Sequence, residues 1–471
     1  MLDNLIRDKG REGRRGYTLP RFDVEKMNLE KLLPEKALRK EKPRLAEVDE
    51  PSMIRHYTNL SRKNWGIDTN FYPLGSCTMK HNPRANEAAA AVPGFAGLHP
   101  LQPERGAQGA LQVMYEVQGF LAEISGFPAV SLQPMAGAQG ELTSILMIKK
   151  YFEDIGDKGR TTVLIPETAH GTNPATATMA GFESGEVGTD EDGCTDIKEL
   201  RRKVDETTAA LMITNPNTCG VYEKNIEEIA RILHEVGAFL YMDGANMNAN
   251  VGRLRPAEAG VDVMHYNLHK TFSTPHGGGG PGSGAIACSV ALAPFRPDPV
   301  VERSGEDYGF VRPEKSIGRV AGFHGNFGVF LKAWNYIKMH GPEIRENTDL
   351  AVLNANYVRA RLQGTYRIPY DGLCKHEVVV QPPKGKRALD IAKGLIDHGF
   401  HPPTVYFPLV VKEAMLIEPT ETESKETLDD FIGAMLELAE SPPQELEEAP
   451  VNAPTRRLDE ARAARNLKAR W

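Results

Sequence analysis

Val261-Asp-Val-Met-His-Tyr-Asn-Leu-His-Lys-Thr-Phe272 reads as a buried apolar run, Val261 to Tyr266, that passes into a His-Lys pair. The glycine tract Gly277 to Gly284 follows. Upstream, a second apolar run, Phe239 to Met242, closes on Asp243-Gly-Ala-Asn246. Two short runs of this kind, separated by a connecting segment, predict neighbouring strands of one sheet. The first then ends in a carboxylate, and the second is followed by the amine of Lys270.

Composition limits what surrounds this pair. A chain of 471 residues exceeds what one core normally serves, so about two domains with extensions are expected. Apolar residues make up 41%, enough for a globular core. A net charge of −7 argues against a bulk attraction to nucleic acid or anionic lipid. The five cysteines, Cys77, Cys194, Cys219, Cys288 and Cys374, are scattered without a C-x-x-C, which suits free thiols in a reducing compartment. No segment approaches the ~18 consecutive apolar residues of a membrane helix. The start, Met1 to Gly10, mixes acids and bases without the apolar core of a signal peptide. A cytoplasmic location is expected.

Along the chain, residues 1–65 are charged and interrupted by Pro20, Pro34, Pro43 and Pro51, as in an arm. Residues 66–335 alternate strand and helix signals and form the expected large domain. Asp196-Ile-Lys-Glu199 has the form of a capping box opening a helix, and Ala209 to Thr214 reads as a buried strand. Asn225 to Val236 carries apolar residues at helical spacing, with Gly237 as its stop. This rhythm implies parallel crossovers. Residues 336–440 form an expected smaller α+β domain, with His376 to Val380 strand-like and Ala388 to His398 helix-like. Residues 441–471, rich in Pro, Glu, Ala and Arg, are expected as a solvated tail or an arm on a partner.

Four apolar runs lead into polar signatures. Val163-Leu-Ile165 leads to Glu167-Thr-Ala-His170-Gly-Thr-Asn173, and Leu211-Met-Ile213 to Asn215-Pro-Asn-Thr218. Phe239 to Met242 leads to Asp243, and Val261 to Tyr266 to His269 and Lys270. If the strands are parallel, all four signatures meet on one sheet edge, where ligands of such sheets bind. A fifth element, Met135-Ala-Gly-Ala-Gln-Gly-Glu141, opens a helix-like stretch, Leu142 to Phe152. Its Gly137, Ala138 and Gln139 are placed to offer backbone N–H groups to a phosphate.

This arrangement points to pyridoxal-phosphate enzymes of the aspartate-aminotransferase-like (type I) fold. That fold is α/β, with a large domain on a mostly parallel sheet and a smaller C-terminal α+β domain. Lys270 would hold pyridoxal 5'-phosphate as a Schiff base, and Asp243 would keep the pyridine nitrogen protonated so that the ring accepts electrons. His170 is a candidate to stack on the ring and Asn215 to bind its hydroxyl, with Ala245 and His269 completing the cofactor contacts. Each has a plainer role: an aspartate caps or turns, a strand-end lysine is solvated, Asn215 starts a turn before Pro216, and Gly-Ala-Gly is an ordinary helix start. Their company favours the chemical reading. His265, His269 and His276 lack metalloprotein spacing, so no metal is expected.

Phe71-Tyr-Pro-Leu-Gly-Ser-Cys-Thr-Met-Lys-His-Asn-Pro83, Met135 to Glu141, His170-Gly-Thr-Asn-Pro174, Tyr241 to Asn248 and Asn267 to Gly282 together resemble the P-protein family, the glycine decarboxylases of the glycine cleavage system. The resemblance covers nearly the whole chain. Many members are longer single polypeptides, and a chain of this size that carries the lysine is similar to subunit 2 of the split form. The resemblance implies loss of CO2 from glycine, with Lys270, Asp243 and His170 catalytic, and transfer of the aminomethyl group to the lipoyl arm of the H-protein. It also implies an α2β2 heterotetramer with a subunit 1 that lacks the lysine, the two terminal arms being candidates for subunit contacts. Phe71 to Pro83 and Gly277 to Gly284 either line the entrance for the lipoyl arm or are structural loops. Gly325-Asn-Phe-Gly328 is a candidate for reaching a neighbouring cofactor's phosphate, and the proton handlers stay open between His170, His269 and nearby groups. Two rivals are another decarboxylase or a cysteine-desulfurase-like lyase on the same fold, and a non-catalytic scaffold subunit. A scaffold copy would be expected to lose Lys270 or Asp243.

Overall fold

Seven strands build the central sheet: β1 (Ala129–Ser131), β2 (Thr162–Pro166), β3 (Glu183–Val187), β4 (Thr208–Thr214), β5 (Phe239–Gly244), β6 (Val263–Tyr266) and β7 (Ile286–Cys288). Their order is β1-β7-β6-β5-β4-β2-β3. The five strands from β3 to β6 run parallel, and β7 is antiparallel to both β6 and β1. This is a computed structural model, and it describes residues 5–41, 43, 45–275 and 282–467.

The parallel strands are joined by helices Asn173–Ala180, Ile197–Lys203 and Ile226–Glu235. Asp196 caps the second of these, accepting from the backbone N–H groups of Lys198 and Glu199. The expected capping box is not completed, because the Glu199 carboxylate accepts from the Gly188 N–H instead, at 2.7 Å. Ile226, Ile229, Ala230, Ile232 and Leu233 turn one face of the third helix into the core, and Gly237 at φ +76° lets the chain leave it.

Residues alternate across the sheet. Leu211, Ile213, Leu240, Met242 and Met264 enter one core layer, whereas Ala210, Met212, Phe239, Tyr241 and Val263 enter the other, with helix Gly137–Asp154. That period of two decides the site, because it puts Tyr241, Asp243 and His265 on the face that this helix covers.

A hairpin, β8 (Val300–Ser304) with β9 (Asp307–Val311), precedes helices Phe327–His340 and Ile344–Leu362. A second, antiparallel sheet then forms from β10 (Val378–Val380), β11 (Thr404–Val405) and β12 (Met415–Ile417), in the order β10-β12-β11. Its core includes Val358, Ile391, Phe431 and also Phe71. Leu446, on helix Pro443–Glu448, belongs to that core as well, so its packing continues past the boundary expected at 440.

Contacts divide the chain into two compact units, one spanning residues 70–450 and the other combining the residues before 70 with those after 450. Within the second unit, helix Glu50–Ser61 is capped by Asp49, and Glu47 accepts from the Gly13 N–H. The glycine tract expected as a possible entrance lies mostly outside the described residues, as does His276.

Candidate active site

Strand ends supply the site. Asp243 is the fifth residue of β5 and pairs with His265 of β6, and Lys270 lies in helix Leu268–Thr271 directly after β6. His170 follows β2 and Asn215 follows β4. Parallel strands therefore bring all four expected signatures to one sheet edge. Both the Asp243 carboxylate and the Lys270 ammonium act electrostatically on His170, on His265 and on Glu141. Lys270 is 9% exposed, and its Nζ donates to the Ser76 carbonyl at 2.8 Å.

Asp243 is 1% exposed. Its Oδ1 accepts from the Ala245 N–H at 2.8 Å and lies 3.5 Å from His265 Nε2. Its Oδ2 is buried without a hydrogen-bond partner among the described residues. An ionised carboxylate oxygen without a partner in the interior is costly, so the oxygen calls for a cationic or N–H-bearing group. His265 is held in turn by the Tyr241 hydroxyl, 2.6 Å from Nδ1. Burial first, and the Asp243 and Glu141 charges next, push the Tyr241 phenol well up, so it stays a neutral donor.

Asn215 Oδ1 accepts from the Glu223 N–H at 3.1 Å, and its buried Nδ2 has no hydrogen-bond partner among the described residues. His170 is anchored by its backbone N–H on Thr214 Oγ1 and lies beside the Phe407 ring. Burial lowers its pKa, Lys270 adds to that, and Asp243 opposes it. A cavity of about 450 Å³ opens here between His170, Pro166, Pro174, Thr218, Phe407 and Leu409.

Helix Gly137–Asp154 starts at Ala136, and among the described residues no side chain caps it. A Cβ on Gly137 would meet Asn267 at 2.3 Å, and one on Gly140 would meet the Gly284 carbonyl at 2.5 Å. The helix start thus lies directly against the segment around Lys270, with its first N–H groups uncapped by side chains, a suitable seat for an anion. Gln139 turns its side chain away from that role: Oε1 accepts from the Met135 N–H at 2.7 Å, and Nε2 donates to the Val320 carbonyl. His269 accepts from the Ser283 N–H at Nδ1. Gly325 to Gly328 line a different, largely apolar cavity of about 550 Å³, together with Phe95, Phe310 and Phe323.

Several residues around the site escaped the sequence reading. Glu377 accepts from the Ser76 N–H at 2.7 Å, and Glu418 accepts from the N–H groups of Cys77 and Thr78. These two buried acids of the smaller domain grip the turn whose carbonyl holds Lys270. Ser76 and Thr78 have φ of 60° and 49°, a conformation that non-glycine residues keep only when fixed from outside. Lys80 is fully enclosed, donating to Glu421, Asn248 and the Thr271 carbonyl, with the Tyr336 hydroxyl 3.3 Å from its Nζ. The Phe71 to Pro83 segment is thus a strap between the two domains. Its only sequence signal was the unusual length of the motif.

Two family descriptions match: "Glycine dehydrogenase, C-terminal domain" over residues 347–461 and "Aminotransferase class-V" over residues 140–280. A probable glycine dehydrogenase (decarboxylating) subunit 2 of Alkaliphilus oremlandii is 51% identical, covering 100% of this chain and 98% of that protein. The protein of the same description from Halalkalibacterium halodurans is 54% identical, covering 98% and 96%. Among solved structures, a glycine decarboxylase (P-protein) of the glycine cleavage system in inhibitor-bound form is similar with a TM-score of 0.74, at 21% identity over 87% of this chain and 94% of that one. An aspartate aminotransferase of Thermus thermophilus gives 0.58 at 14% identity, covering 78% and 98%. At these identities the structural likeness speaks to the fold, which is that of type I pyridoxal-phosphate enzymes.

Proposed function

The chain belongs to the family of glycine dehydrogenase (decarboxylating) subunit 2, and on that premise we propose that Lys270, Asp243 and His170 are its working residues. The enzyme is pyridoxal-phosphate dependent and acts in glycine cleavage as a glycine decarboxylase. The observation that carries the residue assignment is the buried, unpartnered Asp243 Oδ2 on the same sheet edge as the Lys270 amine.

The residues present fit the cofactor. Lys270 supplies the amine that holds it, and Asp243 Oδ2 supplies the acceptor for its protonated ring nitrogen. The uncapped N–H groups at Gly137, Ala138 and Gln139 suit its phosphate, and Asn215 Nδ2 suits its ring hydroxyl. Ala245 and His269 complete the proposed contacts, with Ala245 fixed to Asp243 through its N–H. When bound, pyridoxal phosphate supplies the electron sink for decarboxylation. The Asp243 charge makes that sink deeper by favouring the protonated nitrogen. His170, whose imidazole is kept neutral by burial, is the proposed group for receiving and returning a proton.

Membership as a subunit 2 implies a subunit 1 partner. An α2β2 assembly follows on the same premise, with the lipoyl arm of the H-protein as acceptor of the aminomethyl group and the cavity beside His170 as a route for that arm. Tyr17, Leu19, Phe22 and Val24 present exposed apolar side chains on the N-terminal arm, as a segment meant to be covered by a partner would. A cytoplasmic location is part of the same reading, in keeping with five cysteines in thiol form. No described helix is long and apolar enough to cross a membrane.

The test is exchange of labelled bicarbonate into the carboxyl group of glycine by the chain co-purified with subunit 1. Exchange that depends on lipoylated H-protein is expected. Exchange with another amino acid in place of glycine, or indifference to the H-protein, would reject the reading.

A further inference from the structure

Glu141 lies on the buried stripe of helix Gly137–Asp154, in line with Ile145, Ile148 and Phe152, and is 3% exposed. It accepts from Thr172 Oγ1 at 2.7 Å and from Thr176 Oγ1 at 3.1 Å. Thr172 Oγ1 in turn lies 3.0 Å from Nδ1 of His170. These contacts form a continuous carboxyl–hydroxyl–imidazole chain that ends on a residue of the proposed cofactor site.

We propose that Glu141 is a positioning residue for His170, acting through the Thr172 hydroxyl to set which imidazole nitrogen carries the proton. A hydroxyl has one hydrogen to give and can also accept. While Glu141 is ionised it can only accept, so the Thr172 hydrogen is committed to it. The Thr172 oxygen can then meet His170 only as an acceptor, which places the proton on Nδ1 and leaves a lone pair on Nε2. When Glu141 is neutral that commitment lapses. The Thr172 hydroxyl becomes free to donate to Nδ1, and the Thr172 backbone N–H already approaches the same nitrogen at 3.4 Å. The ring then carries its proton on Nε2. The ionisation of one acid thus inverts the polarity that His170 presents.

Glu141 is suited to change state. Burial first, and the nearby Asp243 charge second, push its pKa up to about 8, while Thr172, Thr176 and Lys270 pull it down. The titratable groups facing it are Asp243 and Tyr241 from β5, His265 from β6, His170 beyond β2, and Lys270 after β6. Ligand atoms of Glu141, Asp243 and His265 lie within 4.8 Å of one another, so the charge on Asp243 is the strongest lever within reach. A protonated ring nitrogen paired with Asp243 offsets that charge and favours ionised Glu141. Loading the site would therefore prepare Nε2 of His170 to accept a proton. This last link rests on the cofactor reading above, whereas the Glu141–His170 relation does not.

The test is nitrogen-15 NMR of histidine-labelled, cofactor-free protein, with His170 identified by the signal lost in His170→Asn. The wild type is expected to pass from the Nε2–H to the Nδ1–H form as pH rises through about 8. Glu141→Gln and Thr172→Val should abolish the step, and Thr172→Ser should keep it. A single tautomer throughout the range in the wild type would overturn the proposal, whether or not any variant folds. Persistence of the step in folded Glu141→Gln would overturn it too. With pyridoxal phosphate added, the midpoint should move to lower pH, and an unchanged midpoint in protein showing a lysine–cofactor absorbance band refutes the coupling to Asp243. Absence of the band itself counts against the cofactor reading and leaves the cofactor-free result standing.

Discussion

Asp243 and His265 face each other across the β5–β6 pair, with Oδ1 of the acid 3.5 Å from Nε2 of the ring and both side chains 1% exposed. The ring is fixed from its other side by the Tyr241 hydroxyl, 2.6 Å from Nδ1. Burial lowers the pKa of His265, with Asp243 opposing, so the ring sits beside the carboxylate without neutralising it. One carboxylate oxygen is used by the Ala245 N–H. The other is left for a ligand.

Asp243→Asn keeps the size and the Ala245 contact but cannot hold a ring nitrogen protonated. Cofactor binding should survive, while decarboxylation falls by about 3 kcal/mol of barrier or more, roughly a hundredfold. Steady-state exchange kinetics beside cofactor titration check this. A near-normal rate would remove the electron-sink role from Asp243.

Lys80 and Glu421 form an ion pair at 2.6 Å with side chains 1% and 5% exposed. Burial alone would lower the Lys80 pKa, but Glu421, with Tyr336, outweighs it and raises it. Lys80→Met strands the acid and should cost about 3–5 kcal/mol by denaturant unfolding. The double variant with Glu421→Gln should recover part of that loss.

Glu418 also makes stability depend on pH. Burial above all lifts its pKa from 4.5 to about 7 in the folded chain. Because the folded value is raised, its contribution is fully present below the lower figure and is lost as pH climbs through the higher one. Melting temperatures across that window should fall for the wild type, and Glu418→Gln should flatten this part of the slope.

Gly284→Ala tests the helix start. Its Cβ would lie 1.8 Å from the Ala136 carbonyl, against backbone that cannot swing aside. The helix N-terminus must then shift, and pyridoxal-phosphate affinity should fall at least tenfold by equilibrium titration. Gly433→Ala, on helix Lys425–Glu440, meets nothing within 4 Å and should leave the affinity unchanged.

Much of the fold was legible because the relevant signals are local. The apolar runs of β4 and β5 and the amphipathic Ile226–Glu235 announce themselves by period, and parallel order follows from strand-helix-strand rhythm. Where boundaries moved, a side chain decided it. β6 begins at Val263, two residues later than the apolar run suggests, because the Asp262 carboxylate accepts from the Leu240 N–H. What stayed hidden depends on contacts between distant positions. Glu377 and Glu418 reach residues 76 and 78 across separations of 301 and 340 residues, and no local pattern reports such a clamp. Glu141 was detectable in principle, since an acid in line with Ile145, Ile148 and Phe152 contradicts an otherwise apolar stripe.

The central claim is that Lys270 carries the cofactor covalently. Borohydride reduction of the loaded protein, prepared with subunit 1, followed by peptide mass mapping addresses it directly. A single pyridoxyl group on the peptide containing Lys270, absent in Lys270→Ala, is the predicted result. A group fixed to any other lysine, or retained in Lys270→Ala, would contradict the account.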